Sequence, residues 1–275
     1  MKWCRYLDGG PAGSGAARGG MIEDEVVLEA DGDPRGQGPF GGYQLTGAKT
    51  ALDSVRLLPP VRPDTFFCVG LNYASHVRHA QQTGYATKFP DRPEVGYRAN
   101  SALTGHGQPI VKPADLTGRF EAEGELVAVI GRPLRSCGRD EARDGVWGWT
   151  IGNDVSARDW QHGDRTLWRA KNSDTFKPMG PWIDTDAEPL SATTTLAVNG
   201  TARASFATGA MIFDPYDYIA EISRYITLRP GDVLWMGADG GVGLEPGDTI
   251  DVTISGLGTL SNPVTEAPVT KENTV

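Results

Sequence analysis

The stretch RFEAEGELVAVIG, residues 119–131, constrains this chain more than any other segment. Glu121, Glu123 and Glu125 alternate with small residues and run straight into an apolar, strand-like run. Successive side chains on a strand point to opposite faces, so the three glutamates are expected on one face. Residues two apart on a strand lie roughly 6.6–6.8 Å apart at Cα, close enough for neighbouring carboxylates to meet at one ion. Like charges facing an interior suppress each other's ionisation unless something neutralises them. A divalent cation is one solution, and an open, solvated strand end is the other.

Two later segments bear on that choice. In GWTIGNDVSARDW, Asn153-Asp154 interrupts an apolar strand and sets a carboxylate beside core residues. Glu123, Glu125 and Asp154 together would form an all-oxygen ligand set, which suits Mg²⁺ or Mn²⁺, with Ca²⁺ compatible in vitro, and does not suit zinc. In WRAKNSDTFKPMGPW, Lys171 precedes a polar turn and could pair with a substrate carboxylate or stabilise an enolate. The segment GLNYASHVRHA carries His76 and His79 three residues apart. Alone it admits a metal site, an acid–base pair or two histidines on the side of a helix. The glycine-rich MGADGGVG lacks a P-loop lysine and reads as a tight loop at a strand end.

The rest of the chain reads as a mainly β, mixed α+β protein with few helices. A small β-rich N-terminal module is expected over residues 1–60, with short strands KWCRYL and MIEDEVVLEA, followed by a larger domain over 61–275. TTLAVNGTARAS reads as a hairpin around an Asn-Gly type I′ turn. Asp214 and Pro215 start a helix with Ile219, Ile222 and Ile226 on one face. RPGDVL and EPGDTI read as Pro-Gly-Asp turns that each feed a strand. A net charge of −9 with no basic cluster argues against a nucleic-acid partner. Three scattered cysteines argue against a disulfide scaffold. The absence of an apolar leader or a long apolar run gives a cytoplasmic expectation, with no membrane partner.

Five blocks in order, FFCVGLNYASH, EAEGELVAVIG, GWTIGNDVSARDWQ, AKNSDTFKPMGPWI and MIFDPYDYIAEISRYITLRPGDVLWMG, make the chain resemble the fumarylacetoacetate hydrolase family. The resemblance runs from about Phe66 to Pro263. It implies a β-sandwich roll, a homodimer, and one divalent metal (Mg²⁺ or Mn²⁺) beside a small keto-acid substrate. Glu123, Glu125 and Asp154 fall on the family's metal ligands and Lys171 on its active-site lysine. His76 falls on its water-activating histidine, and Arg98, Lys171 and Ala238 are expected at the substrate. Two positions depart from the pattern. His79 stands where the hydrolases have a glutamate that orients the base, and Met236-Gly237-Ala238-Asp239 replaces a Thr-Gly-Thr-Pro loop. A second imidazole cannot stabilise the first as an imidazolium, so His79 weakens the case for water activation. The expected activity is metal-dependent hydrolysis of a C–C bond in a 2,4-diketo acid of the acylpyruvate type. Isomerisation or tautomerisation, decarboxylation of a 2-oxo acid, and a non-catalytic metal- or ligand-binding role are the alternatives.

Overall fold

The structure is a computed structural model that describes residues 1–10, 15–32, 40–82, 84 and 88–268. Residues 11–14 and 33–39 of the expected N-terminal module lie outside the described residues, as does the C-terminal end of the larger expected domain. Among the described residues the chain forms three sheets and five helices, and strands dominate, as expected.

The largest sheet has twelve strands. Its centre runs Lys177–Asp184, Val146–Asn153, Gly124–Ile130, Val233–Trp235 and Phe66–Cys68. The N-terminal strands extend one side of it, because Lys2–Asp8 pairs with Lys177–Asp184 in the register Trp3↔Ile183. A five-stranded sheet centred on Thr193–Val198 and Thr249–Ile254 packs over one face. Leu126, Ala128, Ile130 and Ile151 of the large sheet share a core there with Leu196, Ile250, Val252 and Leu260. On the opposite face Val127, Val129, Met179, Ile183 and Trp235 form a second core. The Gly124–Ile130 strand is buried along its whole length, so its odd and even positions feed different cores.

Local sequence explains most of the connections. Asn199 and Gly200 both have positive φ (52° and 74°), the type I′ turn that joins Thr193–Val198 to Thr201–Ala207. Gly231 and Gly247 take φ of 88° and 97° in the two Pro-Gly-Asp turns. Asp214 caps the Pro215–Ser223 helix, accepting from the backbone N–H groups of Tyr216 and Asp217, and Asp217 returns a bond to the backbone of Asp214. Ile219 and Ile222 are buried from that helix, while Ile226 lies past its end and packs against the same core.

One N-terminal expectation is corrected. MIEDEVVLEA is not a single strand but the turn of a hairpin, with Arg18–Glu23 pairing with Val26–Asp31. Asp24 and Glu25 adopt left-handed φ of 45° and 63° and reverse the chain. Asp tolerates that region better than most residues, and the apolar alternation across the segment hid the turn.

Gly124 has a steric reason to be glycine. A Cβ there would stand 2.7 Å from Val252 Cγ1 and 3.0 Å from Leu196 Cδ1, both in buried side chains of the facing sheet. The Gly124→Val protein should lose about 1–3 kcal/mol of stability from overpacking. Urea denaturation measures the loss, and an unchanged midpoint would refute the packing described here.

Candidate active site

Two strand registers assemble the carboxylates. Gly124 pairs with Asn153, so the same antiparallel register sets Glu123 opposite Asp154. The backbone confirms it: Asp154 N–H donates to Glu123 O at 2.9 Å, and Glu123 N–H donates to Asn153 Oδ1 at 3.0 Å. The alternation expected for the three glutamates holds only in part. The chain leaves a short strand, Phe120–Ala122, at Glu123 and enters the large sheet at Gly124. Glu123 and Glu125 are buried together, whereas Glu121 faces a cavity and is tied to Glu123 through Arg158.

Four cations surround the cluster. Arg158 donates through Nε to Glu121 and through Nη2 to Glu123, both at 2.6 Å. Arg98 holds Asp154 with two parallel bonds of 3.0 Å. Lys171, on the five-residue helix Trp168–Asn172, bridges Glu123 and Asp154, the latter at 2.8 Å. That helix is seated by the buried Asp164, which accepts from the N–H groups of Arg169 (3.0 Å) and Ala170 (2.6 Å). Lys177 reaches Asp154 Oδ1 at 2.7 Å from a fully buried position.

These neighbours split the carboxylates. Burial opposes ionisation of all three. At Glu123 the charges of Lys171 and Arg158 outweigh burial and hold the carboxyl down to about 2. Arg98, Lys171 and Lys177 likewise hold Asp154 well below the usual range against the cost of burial. Glu125 goes the other way. Burial and the adjacent charges of Asp154 and Glu123 push it well above the usual range, and the Gly237 N–H at 2.8 Å only partly offsets them. Burial pulls Lys177 down to about 7, against the pull of Asp154. Lys171 is raised, because Asp154 and Glu123 overcome burial.

A cavity of about 570 Å³ opens beside the cluster, lined by His76, His79, Arg119, Glu121, Arg158 and His162 among others. His76 and His79 both lie on the Ala74–Gln82 helix, and as their spacing predicted they face the same space. His76 Nδ1 is 2.9 Å from Ala238 O. A carbonyl only accepts, so Nδ1 carries the hydrogen and the neutral ring keeps its lone pair on Nε2. Asn72 fixes the strand end from which the helix departs. It donates to Phe213 O (3.0 Å) and Met236 O (3.1 Å), and accepts from Phe213 N–H at 3.1 Å. Arg98 and Ala238, expected at the substrate, are placed as the partners of Asp154 and His76.

The donor set fits a hard divalent cation: three buried carboxylates, no sulfur or imidazole among them, and an ammonium standing in between two of them. As they stand, no three His, Cys, Asp or Glu side chains among the described residues are drawn close enough to hold a metal ion. Lys171 bridges two of the carboxylates instead.

The family model described as Fumarylacetoacetate (FAA) hydrolase C-terminal matches residues 65–265, and one described as Rv2993c-like, N-terminal matches residues 1–60. The chain belongs to the fumarylacetoacetate hydrolase family. Among solved structures of similar fold is 5-carboxymethyl-2-hydroxymuconate delta-isomerase from Mycobacterium smegmatis, 37% identical with a TM-score of 0.83, over 97% of this chain and 100% of that one. Oxaloacetate tautomerase YisK of Bacillus subtilis is 34% identical over 227 residues, 78% of this chain and 74% of that protein. Maleylpyruvate hydrolase from Sphingobium sp. SYK-6, solved with manganese(II) and pyruvate, is 26% identical with a TM-score of 0.76, over 98% of this chain and 100% of that one. Within the fumarylacetoacetate hydrolase family, then, this fold is found in proteins named as isomerase, tautomerase and hydrolase.

Sequence reading missed three residues of this family member's site. Arg158 was legible as a cation two positions after Ser156 on the strand-like run that carries Asp154. Lys177 was legible as a lysine inside the apolar run TFKPMGPWI. The Gly237 N–H left no side-chain signal. Removing one partner of a buried, paired charge is costly, whereas removing a carboxyl whose ionisation is disfavoured is not. In the presence of a chelator, Glu123→Gln should therefore cost about 3–5 kcal/mol. Glu125→Gln should leave stability unchanged or raise it. Thermal and urea unfolding of both variants compare them, and equal losses would refute the asymmetry.

Proposed function

We propose that this protein is a divalent-cation-dependent isomerase that moves a proton between the enol and keto forms of a small, anionic 2-oxo acid. The observation that carries the reading is the orientation of His76 by the carbonyl of Ala238, with His79 and His162 on the same cavity. A carbonyl aligns the ring and fixes its tautomer, but it carries no full negative charge to stabilise an imidazolium. Such a histidine suits shuttling a proton to and from an acidic carbon better than deprotonating water. The names of the isomerase and tautomerase among its relatives support the same choice.

Bound by Glu123, Glu125 and Asp154, Mg²⁺ or Mn²⁺ would supply Lewis-acid stabilisation of negative charge on the 2-oxo oxygen. His76 Nε2 would take the proton from the carbon next to the oxo group, leaving an enolate, and hand it to the 2-oxo oxygen to complete the enol. The reverse order regenerates the keto form and the neutral imidazole. With a cation held by the three carboxylates, the Lys171 ammonium, now bonded to Glu123 and Asp154, would be released to pair with the substrate's carboxylate. Arg158 and Arg119, on the cavity wall, select a substrate with a second negative group. Hydrolysis of a 2,4-diketo acid is the second reading, favoured by the place of His76 on the cavity and by the maleylpyruvate hydrolase relative.

The test follows enol absorbance for a panel of 2-oxo dicarboxylic and 2,4-diketo acids with Mg²⁺ or Mn²⁺, with products weighed by mass spectrometry. Accelerated interconversion without a change of mass is expected, and His76→Gln should lower kcat about 10²–10⁴-fold. Two acid fragments from a diketo acid would establish the hydrolase. A His76→Gln protein as fast as the parent would remove this residue as the base.

A further inference from the structure

We propose that Lys177 is a built-in counter-charge beneath Asp154 that sets how tightly the carboxylate cluster takes a divalent cation. The inference rests on the cluster binding such a cation, as proposed above. It concerns a residue that touches neither the cavity nor the reacting atoms, so its role is one of positioning and charge.

The sheet places it there. Gly152 pairs with Met179 and Ile151 with Gly180, so the same antiparallel register sets Lys177 opposite Asp154. The other neighbouring strand sets Glu123 opposite Asp154. Lysine, aspartate and glutamate therefore stand side by side across three adjacent strands. Lys177 is fully buried. Its Nζ lies 2.7 Å from Asp154 Oδ1, 3.0 Å from Val155 O and 2.8 Å from Phe176 O. Three acceptors take up the three hydrogens of an ammonium.

The two lysines of the site differ in what holds them. Lys171 bonds to the carboxylates of Glu123 and Asp154, which an entering cation would claim. Two of the three partners of Lys177 are backbone carbonyls just outside the strand ends, and these hold it independently of what the carboxylates bind. Arg98, Arg158 and a divalent cation already balance Glu121, Glu123, Glu125 and Asp154. Lys171 and Lys177 are then both in excess. Lys171 bonds only side chains that the cation would claim, whereas Lys177 stays beneath Asp154, in a buried setting where charges act strongly on each other. Lys177 thus weakens cation binding while occupying Asp154 Oδ1 together with Arg98.

The experiment is Mn²⁺ binding to the full-length protein, by isothermal titration calorimetry and by the electron paramagnetic resonance signal of free Mn²⁺. Lys177→Met removes the charge at similar volume, with Arg98 still holding Asp154. Lys177→Gln keeps a donor for the carbonyls and decides the matter if the methionine variant does not fold. Circular dichroism checks folding of each. Mn²⁺ affinity at least tenfold tighter than in the parent is expected for the folded variants. Unchanged or weaker affinity would overturn the proposal while leaving the metal reading intact. No Mn²⁺ binding by the parent would overturn the metal reading, and this proposal with it.

Discussion

The structure depends on keeping a buried cluster of carboxylates electrically tolerable. Glu123 and Asp154 are set opposite each other by strand register and are held as anions by Lys171, Arg158, Arg98 and Lys177. Isolated, each charge would cost several kcal/mol to bury, so the surrounding elements are committed to supplying cations. The Trp168–Asn172 helix brings Lys171, the segment after Gly96–Tyr97 brings Arg98, and the short helix Arg158–Gln161 brings Arg158. A one-residue slip of either neighbouring strand would turn these side chains to the wrong face. The cluster therefore constrains register as firmly as the apolar packing does.

The site has two chemically distinct zones. At its floor, carboxylates and cations alternate in a space closed to solvent, which suits holding charge in fixed positions. At its mouth, His76, His79 and His162 share a cavity with Arg119 and Arg158. On the proposed function, chelation and proton transfer would fall to different walls of one site. The Met236–Asp239 turn connects them: Gly237 donates to Glu125 and Ala238 accepts from His76. Gly237 takes a φ of 79° and lies close to Val69 O, so a side chain would strain this turn.

Much of the fold was legible in the sequence because it rests on local chemistry. The Asn199-Gly200 hairpin, the two Pro-Gly-Asp turns and the Asp214 cap are each written in two to four consecutive residues. The family membership followed from ordered blocks. Within the site, Glu123, Glu125, Asp154, Lys171 and His76 stood out because charges or histidines interrupt apolar runs. The pairing of those charges was not legible. Nothing near Lys177 in sequence says that Asp154 lies across the sheet from it, since that is fixed by the register of a strand begun some thirty residues earlier. Glu121 was grouped with its neighbours because alternation assumes an unbroken strand, and the chain changes sheets at Glu123. Asp24-Glu25 hid a turn inside what reads as one apolar alternation.

The bonds that complete the site close long loops of chain. Glu125 waits for Gly237, 112 residues later, and His76 for Ala238, 162 residues later. Closing such loops is entropically expensive and slow compared with forming hairpins and helices. During synthesis the carboxylates and the histidine helix emerge well before the turn that joins them. The site is therefore complete only once residues 237 and 238 have arrived, and a chain stopped short of residue 239 would carry most of its charged residues without the turn that arranges them.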